Sequence, residues 1–432
     1  MSQYLDFVDF KYKPSKDDVI CLFRFEPGLN VSIKEAIGRI ASESSNGTWT
    51  ELSTLKPHIR KIRARAFEVK NNFVKIAYPI ELFELGNMPQ LYSSVAGNIF
   101  GMKALKNLRL EDIDFSEKYI KSFKGPQFGI DGVRKFMNIY NRPLTATVPK
   151  PKVGMTTEEH AKVLYDAWIG GVDFGKDDEN LTNQNFNKFE NRVKLCAKMR
   201  DKAEKETGEK KDYFINITAE TKEMIRRANI IKKYNFKYMM IDILTAGWSG
   251  LQTLRDESND LKLAIHAHRA MHAAFTRNPK HGISMLTIAK CSRLVGVDNM
   301  HIGTAVGKLV SPIKEVLGIE KEITGEEIEE TIINNDNQIL QQEWYNIKPT
   351  LPVSSGGLHP GLVPYIIKML GKDCVLQLGG GIHGHPNGTK AGAIAFRQAI
   401  ESTLTGNNLR DYAKTHNELK LALDKWGFHK PI

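Results

Sequence analysis

From residue 144 onward the chain repeats one pattern eight times: a short apolar run that reads as a strand, then an amphipathic run that reads as a helix. The series is LTATVPK then TTEEHAKVLYDAWIGG; VDFGKDD then FENRVKLCAKMRDKAEK; DYFINITAE then TKEMIRRANIIKKY; KYMMIDIL then WSGLQTLRDES; LAIHAHRA then ISMLTIAKCSRLVG; NMHIGTAVGK then a long helical excursion through EEIEETIINNDNQILQQEW; LPVSSGG then GLVPYIIKML; and CVLQLGGG then TKAGAIAFRQAIES. Eight such units over about 270 residues are the size of a (β/α)8 barrel. Before them, strand-like runs (DVICLFRFEP, RARAFEVKNN, NFVKIAYPI) alternate with helical ones (SIKEAIGRIASESS, NMPQLYSSVAG), which predicts a smaller α+β domain with an antiparallel sheet. The expected fold is therefore α/β, with an N-terminal domain over residues 1–125 and a C-terminal barrel domain over 126–432.

Composition narrows the function. No stretch approaches the roughly 18 apolar residues of a membrane span. The N-terminal MSQYLDFVDFKYKP lacks a basic region followed by an apolar run, so a cytoplasmic location is expected. Cys21, Cys196, Cys291 and Cys374 form no CxxC pair and read as buried thiols rather than zinc ligands or disulfides. The formal charge of +11 could signal nucleic acid. Its lysines and arginines, however, are interleaved with acids at helical spacing, as in NRVKLCAKMRDKAEKETGEKK, which describes a solvated surface. Neither a nucleic-acid nor a membrane partner is expected; an anionic small substrate fits the bias.

In a barrel of this kind chemistry belongs at the carboxyl ends of the strands. Those ends carry Lys150 and Lys152; Lys176, Asp178 and Glu179; His266, His268 and Arg269; His301 and Lys308; Ser355, Gly356 and Gly357; and Gly379, Gly380 and Gly381. The glycine clusters after strands seven and eight suit a phosphate held by backbone N–H groups. Arg269 and His301 could hold a second phosphate, although His301 taken alone reads equally well as a core histidine. Two such grips suggest a sugar bisphosphate lying across the mouth.

Asp178 and Glu179 are hard oxygen donors suited to Mg²⁺. Lys176 stands two residues before Asp178, on the same side of an extended strand. It either neutralises these carboxylates or, as a free amine, takes up CO₂ to become a carbamate and a third anionic ligand.

KPK (150–152), GGVDFGKDDEN (170–180), HAHRAMH (266–272), HIGTAVGK (301–308), SSGGLHPG and LGGGIHGHP together resemble the large subunit of ribulose-1,5-bisphosphate carboxylase/oxygenase, RuBisCO, over nearly the whole chain. SESSNGTWT (42–50) and GNIFGMKALKNLRLED resemble the segments with which that family completes a partner subunit's site. VPKPKVG, SSGGLHPG and the short termini are most similar to the archaeal-type form III branch. The resemblance implies that carbamylated Lys176, Asp178 and Glu179 bind Mg²⁺ and that the carbamate helps remove the C3 proton of ribulose 1,5-bisphosphate. It implies that Lys150 handles protons on the reacting carbons with Lys152 in support, that His268 assists at C3, and that Lys308 stabilises the carboxylate formed from CO₂. Glu43 and Asn98 would reach in from the neighbouring chain. Thr48, Trp49, Gly357, Gly379 and Gly380 would grip one phosphate, Arg269 and His301 the other, and Ser355, beside Gly356, would touch a substrate hydroxyl.

Two positions depart from the pattern: Val148 stands where the plant form has threonine, and Val310-Ser311 follow Lys308-Leu309 where an acid is usual. The resemblance further implies carboxylation with competing oxygenation by O₂, a homodimer with shared sites that could assemble further, no small subunit, and a link to nucleotide (AMP) salvage. The competing expectation on the same scaffold is a RuBisCO-like, metal-dependent enolase or isomerase of a sulfur-containing sugar phosphate.

Overall fold

The computed structural model of the chain describes residues 3–306, 312–334 and 337–428. The chain folds as two compact units, each assembled from more than one stretch of sequence.

The second unit comprises Pro126–Ala270, Gly296–Thr324 and Lys348–Ile432 and contains the barrel. Its eight strands are Leu144–Thr147, Phe174–Lys176, Asp212–Asn216, Tyr238–Asp242, Ala264–His268, Asn299–His301, Leu351–Ser355 and Val375–Gln377. All are parallel, each pairs with the next in chain order, and the eighth closes on the first, as the repeat predicts.

Alternation along these strands prepares the site. Residues two apart share a face, and the inward series change from apolar to polar toward the carboxyl end: Phe174 then Lys176; Tyr238, Met240, then Asp242; Ala264, then His266 and His268; Leu351, Val353, then Ser355. The lower interior is packed solid. Phe174 and Phe214 stack at 4.5 Å, Tyr238 meets Phe214 edge-on at 4.7 Å, and helix Gly129–Met137 adds Val133 and Met137 from below. At the amino-terminal end Arg142 grips the buried Asp173 with two hydrogen bonds of 2.6 and 2.7 Å, joining the starts of strands one and two. The outer helix Thr157–Ile169 opens with a capping box between Thr156 and Glu159.

The first unit comprises Met1–Gly125, Met271–Val295 and Gly325–Ile347. Its five-stranded sheet runs Gly282–Ile283, Leu105–Asp114, Val19–Pro27, Phe73–Tyr78, Arg65–Lys70, antiparallel except where Gly282–Ile283 lies parallel to its neighbour. Leu105–Asp114, which pairs with both Val19–Pro27 and Gly282–Ile283, was not among the expected strands.

The helical excursion expected after strand six is corrected. A helix does span Ile313–Thr324, but the EEIEETIINNDNQILQQEW segment forms two antiparallel pairs, Glu327–Ile328 with Gln342–Glu343 and Thr331–Asn334 with Asn337–Ile339. The β-branched run Thr331-Ile332-Ile333 favours strand over helix. Long-range partners finish the choice: the Gln342 amide accepts from Phe115 N at 3.0 Å and donates to Phe115 O at 3.1 Å, and Leu340 N donates to Asp112. Among the described residues, no helix is long and apolar enough to cross a membrane.

Candidate active site

At the end of strand two, the alternation that buries Phe174 turns Lys176 inward, and Lys176 is only 1% exposed. Its Nζ donates to Asp177 O at 2.8 Å. Burial pushes its ammonium below the ordinary lysine range, although Glu179, Asp242, Asp178 and Asp177 all pull the other way. Asp177 is held by the fully buried Arg192 at 3.3 Å, by the Tyr213 hydroxyl and by Asn216 N. That anchor fixes the backbone between Lys176 and Asp178.

Asp178 is buried and lies 3.2 Å from Lys150 Nζ and 4.0 Å from Lys152 Nζ; Lys152 also reaches Glu179 at 3.6 Å. Burial alone would raise the Asp178 pKa, but Lys150 and two N–H donors of Asn180 bring it below the usual carboxylate range. Lys150 is itself pushed down, its burial outweighing Asp178, with Lys152 adding to the shift. Glu179 faces His268 Nε2 at 3.8 Å, while His268 Nδ1 is hydrogen-bonded to Asp242 at 2.5 Å. Burial first, then Lys176, keeps His268 below its ordinary value. His301 packs edge-on against His268 with centroids 5.0 Å apart, and its Nδ1 lies 2.6 Å from Ser355 Oγ. Its Nε2 meets His266 Nε2 at 3.1 Å, and His266 Nδ1 meets Asn299 at 2.9 Å. Burial pushes Arg269 down to about 10, opposed by Glu315.

Gly356 and Gly357 take φ of +120° and +70°, a backbone that L side chains rarely adopt. A Cβ on Gly379 would come within 3.1 Å of Lys150 Cε, so this loop lies directly against the strand-one lysine. Gly380 and Gly381 open the helical turn Gly380–His383. His383 anchors that turn: its Nε2 lies 2.9 Å from Thr147 Oγ1, and burial holds its pKa down to about 4.

Strands one, two, five, six, seven and eight thus bring Lys150, Lys152, Lys176, Asp178, Glu179, His266, His268, Arg269, His301, Ser355, Gly356, Gly357, Gly379 and Gly380 to one end of the barrel. Lys308, with Val310 and Ser311, lies outside the described residues. Glu43, Thr48, Trp49 and Asn98 belong to the first unit, where helix Ile33–Glu43 contacts the turn Asn98–Gly101. Glu43, Trp49 and Asn98 are exposed there, and Thr48 is half-buried. Sequence reasoning missed Asp242, Asn299, Asp177, Arg192 and His383, because each acts through a partner on a distant strand or helix. An acid ending a strand that faces HAH on the next strand was the one available signal. A groove of about 820 Å³ at the amino-terminal end, lined in part by Arg142 and Arg397, contains none of the predicted residues.

The donor set can be tested against a metal. Among the described residues no three His, Cys, Asp or Glu side chains cluster as a ready metal site. Asp178 and Glu179 are two hard donors in want of a third. Lys176 is buried between them and Asp242 with its ammonium disfavoured, so a carbamate there would complete an oxygen set. The residues fit Mg²⁺ on that condition.

Residues 129–426 match the family described as ribulose bisphosphate carboxylase large chain, catalytic domain, and residues 6–119 match its N-terminal domain. The chain is 52% identical to the ribulose bisphosphate carboxylase of Pyrococcus abyssi over 432 residues, covering 99% of this chain and 98% of that one. It is 50% identical to that of Methanosarcina barkeri over 425 residues, covering 98% and 99%. Among solved structures it is similar to a dimeric archaeal Rubisco from Hyperthermus butylicus, with TM-score 0.93, 48% identity, and coverage of 98% and 99%. It is also similar to the octameric ribulose-1,5-bisphosphate carboxylase/oxygenase of Pyrococcus horikoshii in complex with sulfate ion, with TM-score 0.91, 50% identity, and coverage of 99% and 98%.

Proposed function

This chain belongs to the ribulose bisphosphate carboxylase large-chain family, and from that premise we propose that it joins CO₂ to ribulose 1,5-bisphosphate to give two molecules of 3-phosphoglycerate, with oxygenation as the competing reaction. The observation that carries the reading is the buried Lys176 beside Asp178 and Glu179, ringed by Lys150, Lys152 and His268. The Lys176 ammonium loses one proton to give the neutral amine, which adds to CO₂ and releases a second, so a buried cation becomes a carbamate anion. With Asp178 and Glu179 it offers oxygen donors to Mg²⁺. When bound, Mg²⁺ would draw electron density from the substrate carbonyl and acidify the adjacent C3–H.

The Lys176 carbamate, assisted by His268 in the orientation set by Asp242, takes the C3 proton. The enediolate carbon C2 then bonds to CO₂. Water adds at C3, the C2–C3 bond breaks, and Lys150 returns a proton to C2. Lys152 supports Lys150 through their common partner Asp178. Lys308 neutralises the new carboxylate, with Glu43 of the neighbouring chain pairing to it and Asn98 of that chain near metal and substrate. Gly357, Gly379 and Gly380, with Thr48 and Trp49 of the neighbouring chain, hold one phosphate; Arg269 and His301 hold the other; and Ser355 meets a substrate hydroxyl.

The relatives reported above are named carboxylases, and the enolase or isomerase reading is not carried further. We place the enzyme in the cytoplasm as a homodimer or an assembly of dimers without a small subunit, drawing its bisphosphate from nucleotide salvage. The test is incorporation of labelled bicarbonate into acid-stable product after preincubation with CO₂ and Mg²⁺. Label is expected with ribulose 1,5-bisphosphate; its absence would overturn the proposal.

A further inference from the structure

We propose that Asn216, at the end of strand three, is a positioning residue that holds the backbone of Asp178 and Glu179 and so aims the Glu179 carboxylate. This rests on the reading above that Lys176, Asp178 and Glu179 hold Mg²⁺ together. Strand three supplies none of the residues predicted for the site, and the two carboxylates are held unequally. Asp178 Oδ1 accepts from Asn180 N at 3.3 Å and from Asn180 Nδ2 at 3.0 Å, and Lys150 Nζ donates to its Oδ2 at 3.2 Å. Among the described residues the Glu179 carboxylate meets only Lys152 at 3.6 Å and His268 at 3.8 Å, both beyond hydrogen-bond reach. Lys152 is itself more than half exposed. The direction of the Glu179 side chain is therefore left to the backbone that carries it.

Asn216 is fully buried, and both ends of its side chain are used. Nδ2 donates to Asp178 O at 3.4 Å and to Glu179 O at 3.2 Å, while Oδ1 accepts from Thr218 N at 3.0 Å. Its backbone N donates to Asp177 Oδ2 at 3.0 Å. The amide has one workable orientation. Turned over, Oδ1 would face two carbonyl oxygens and Nδ2 would face an N–H, with three hydrogen bonds lost in a site closed to water. The two carbonyls it holds belong to the two peptide planes on either side of the Glu179 Cα. A peptide group is planar, so holding both planes fixes φ and ψ of Glu179 and with them the direction of its Cα–Cβ bond. The latch is braced from behind: Thr218 Oγ1 accepts from Asp242 N at 2.9 Å, at the end of strand four. Asn216 touches no predicted substrate contact; it acts through Glu179 and Asp178.

The test reads carbamate and metal together, without turnover. The full-length protein in ¹³C-labelled bicarbonate is titrated with Mg²⁺, and the ¹³C NMR signal of the lysine carbamate, identified by its loss in Lys176→Ala, is followed. Asn216→Ala removes both donors and should raise the Mg²⁺ concentration at half-maximal signal by about tenfold or more. Asn216→Ser, which keeps one short donor, should fall between that variant and the native chain, and it takes the place of Asn216→Ala if the latter does not fold. A merely structural role would lower Tm and leave the Mg²⁺ midpoint of the folded protein where it was, which overturns the proposal. Tyr213→Phe is the control for local loosening, since it takes one hydrogen bond from Asp177 and leaves the two carbonyl contacts in place. Its midpoint should shift clearly less than that of Asn216→Ala; an equal shift would assign the effect to the Asp177 anchor and overturn the role given to the Asn216 side chain. If the native chain gives no carbamate signal, the Lys176 reading falls and this proposal with it, whereas a native signal with unmoved variants overturns this proposal alone.

Discussion

A lysine ammonium sealed from water at a barrel mouth is unfavourable by several kcal/mol unless paired, and under the proposed function its neighbouring carboxylates hold a metal. The proposed carbamate would remove that conflict. Because burial lowers the Lys176 pKa, the free amine that the proposed carbamylation requires becomes abundant at lower pH than for an exposed lysine near 10.4. Activation measured by preincubation at varied pH, with assay at one fixed pH, should therefore rise with pH and level off below that value. Lys176→Ala should trap no labelled CO₂ and lose carboxylation by about 10³-fold or more; a near-normal rate would sink the assignment. A second titration concerns stability. Burial pushes the Asp212 carboxyl, at the start of strand three, up to about 7, against the N–H groups of Tyr213 and Lys237 that bond to it. The folded chain thus binds this proton more tightly than the unfolded chain, whose carboxyl titrates near 3.9. The stabilisation is complete below about pH 4 and is lost as pH rises through about 7, at most on the order of 4 kcal/mol. Asp212→Asn should raise Tm relative to the native chain at pH 9 and by less at pH 5, checked by calorimetry at both. Neither Asp212 nor Asn299 stood out in the sequence, because a lone polar residue in an apolar strand gives no sign of which distant backbone or ring it will meet. Lys176, Asp178 and Glu179 were legible because they are crowded into one strand end.

Elements show the same division between local and remote causes. The barrel strands were readable because each is a short apolar run closed by polar or glycine residues, and burial on both faces needs no partner-specific signal. The segment after helix Ile313–Thr324 read as helical because its glutamates and isoleucines recur at near-helical spacing. Its pairing is instead dictated from Leu105–Asp114 and helix Met285–Val295. Asp112, buried, takes Lys290 Nζ at 2.9 Å, Leu340 N at 2.8 Å and Ile113 N at 2.7 Å, so one carboxylate ties strand, helix and the later segment together. Arg293 adds hydrogen bonds to Gly325 O and Ile347 O and lies 4.0 Å over the Trp344 ring. Lys290→Met leaves Asp112 buried without its cation and should destabilise the chain by about 3 kcal/mol. Adding Asp112→Asn, which removes the stranded charge yet keeps an acceptor for Leu340 N, should recover part of that loss. Denaturant melts of the two variants check this, with limited proteolysis between residues 325 and 347 as the local readout; an additive double variant would mean that the pair is not coupled.

At the scale of the whole molecule, the chain is assembled from more pieces than its order suggests, since Met271–Val295 and Gly325–Ile347 leave the barrel sequence to join the first unit. No local pattern announces such a return, because helices and short strands look alike in either unit. What the sequence does carry is a second set of candidate residues far from the barrel motifs. Glu43, at the end of helix Ile33–Glu43, and Asn98, in the turn that this helix contacts, are exposed on the first unit, and Trp49 is 82% exposed. An aromatic side chain left that open, with an acid six residues before it and an amide in the turn that the acid's helix contacts, suits a surface completed by another chain. The solved relatives include a dimer and an octamer. If each site joins the barrel of one subunit to the first unit of its neighbour, two different defects can complement each other. Glu43→Gln chains and Lys176→Ala chains, each inactive as homodimers, should regain activity when co-expressed with different tags and purified as mixed dimers. One of the two sites would then combine an intact barrel with an intact partner unit, giving up to about half the native activity per dimer if the two sites are independent. Mixed dimers that form but stay inactive would show that Glu43 and Lys176 must come from the same chain.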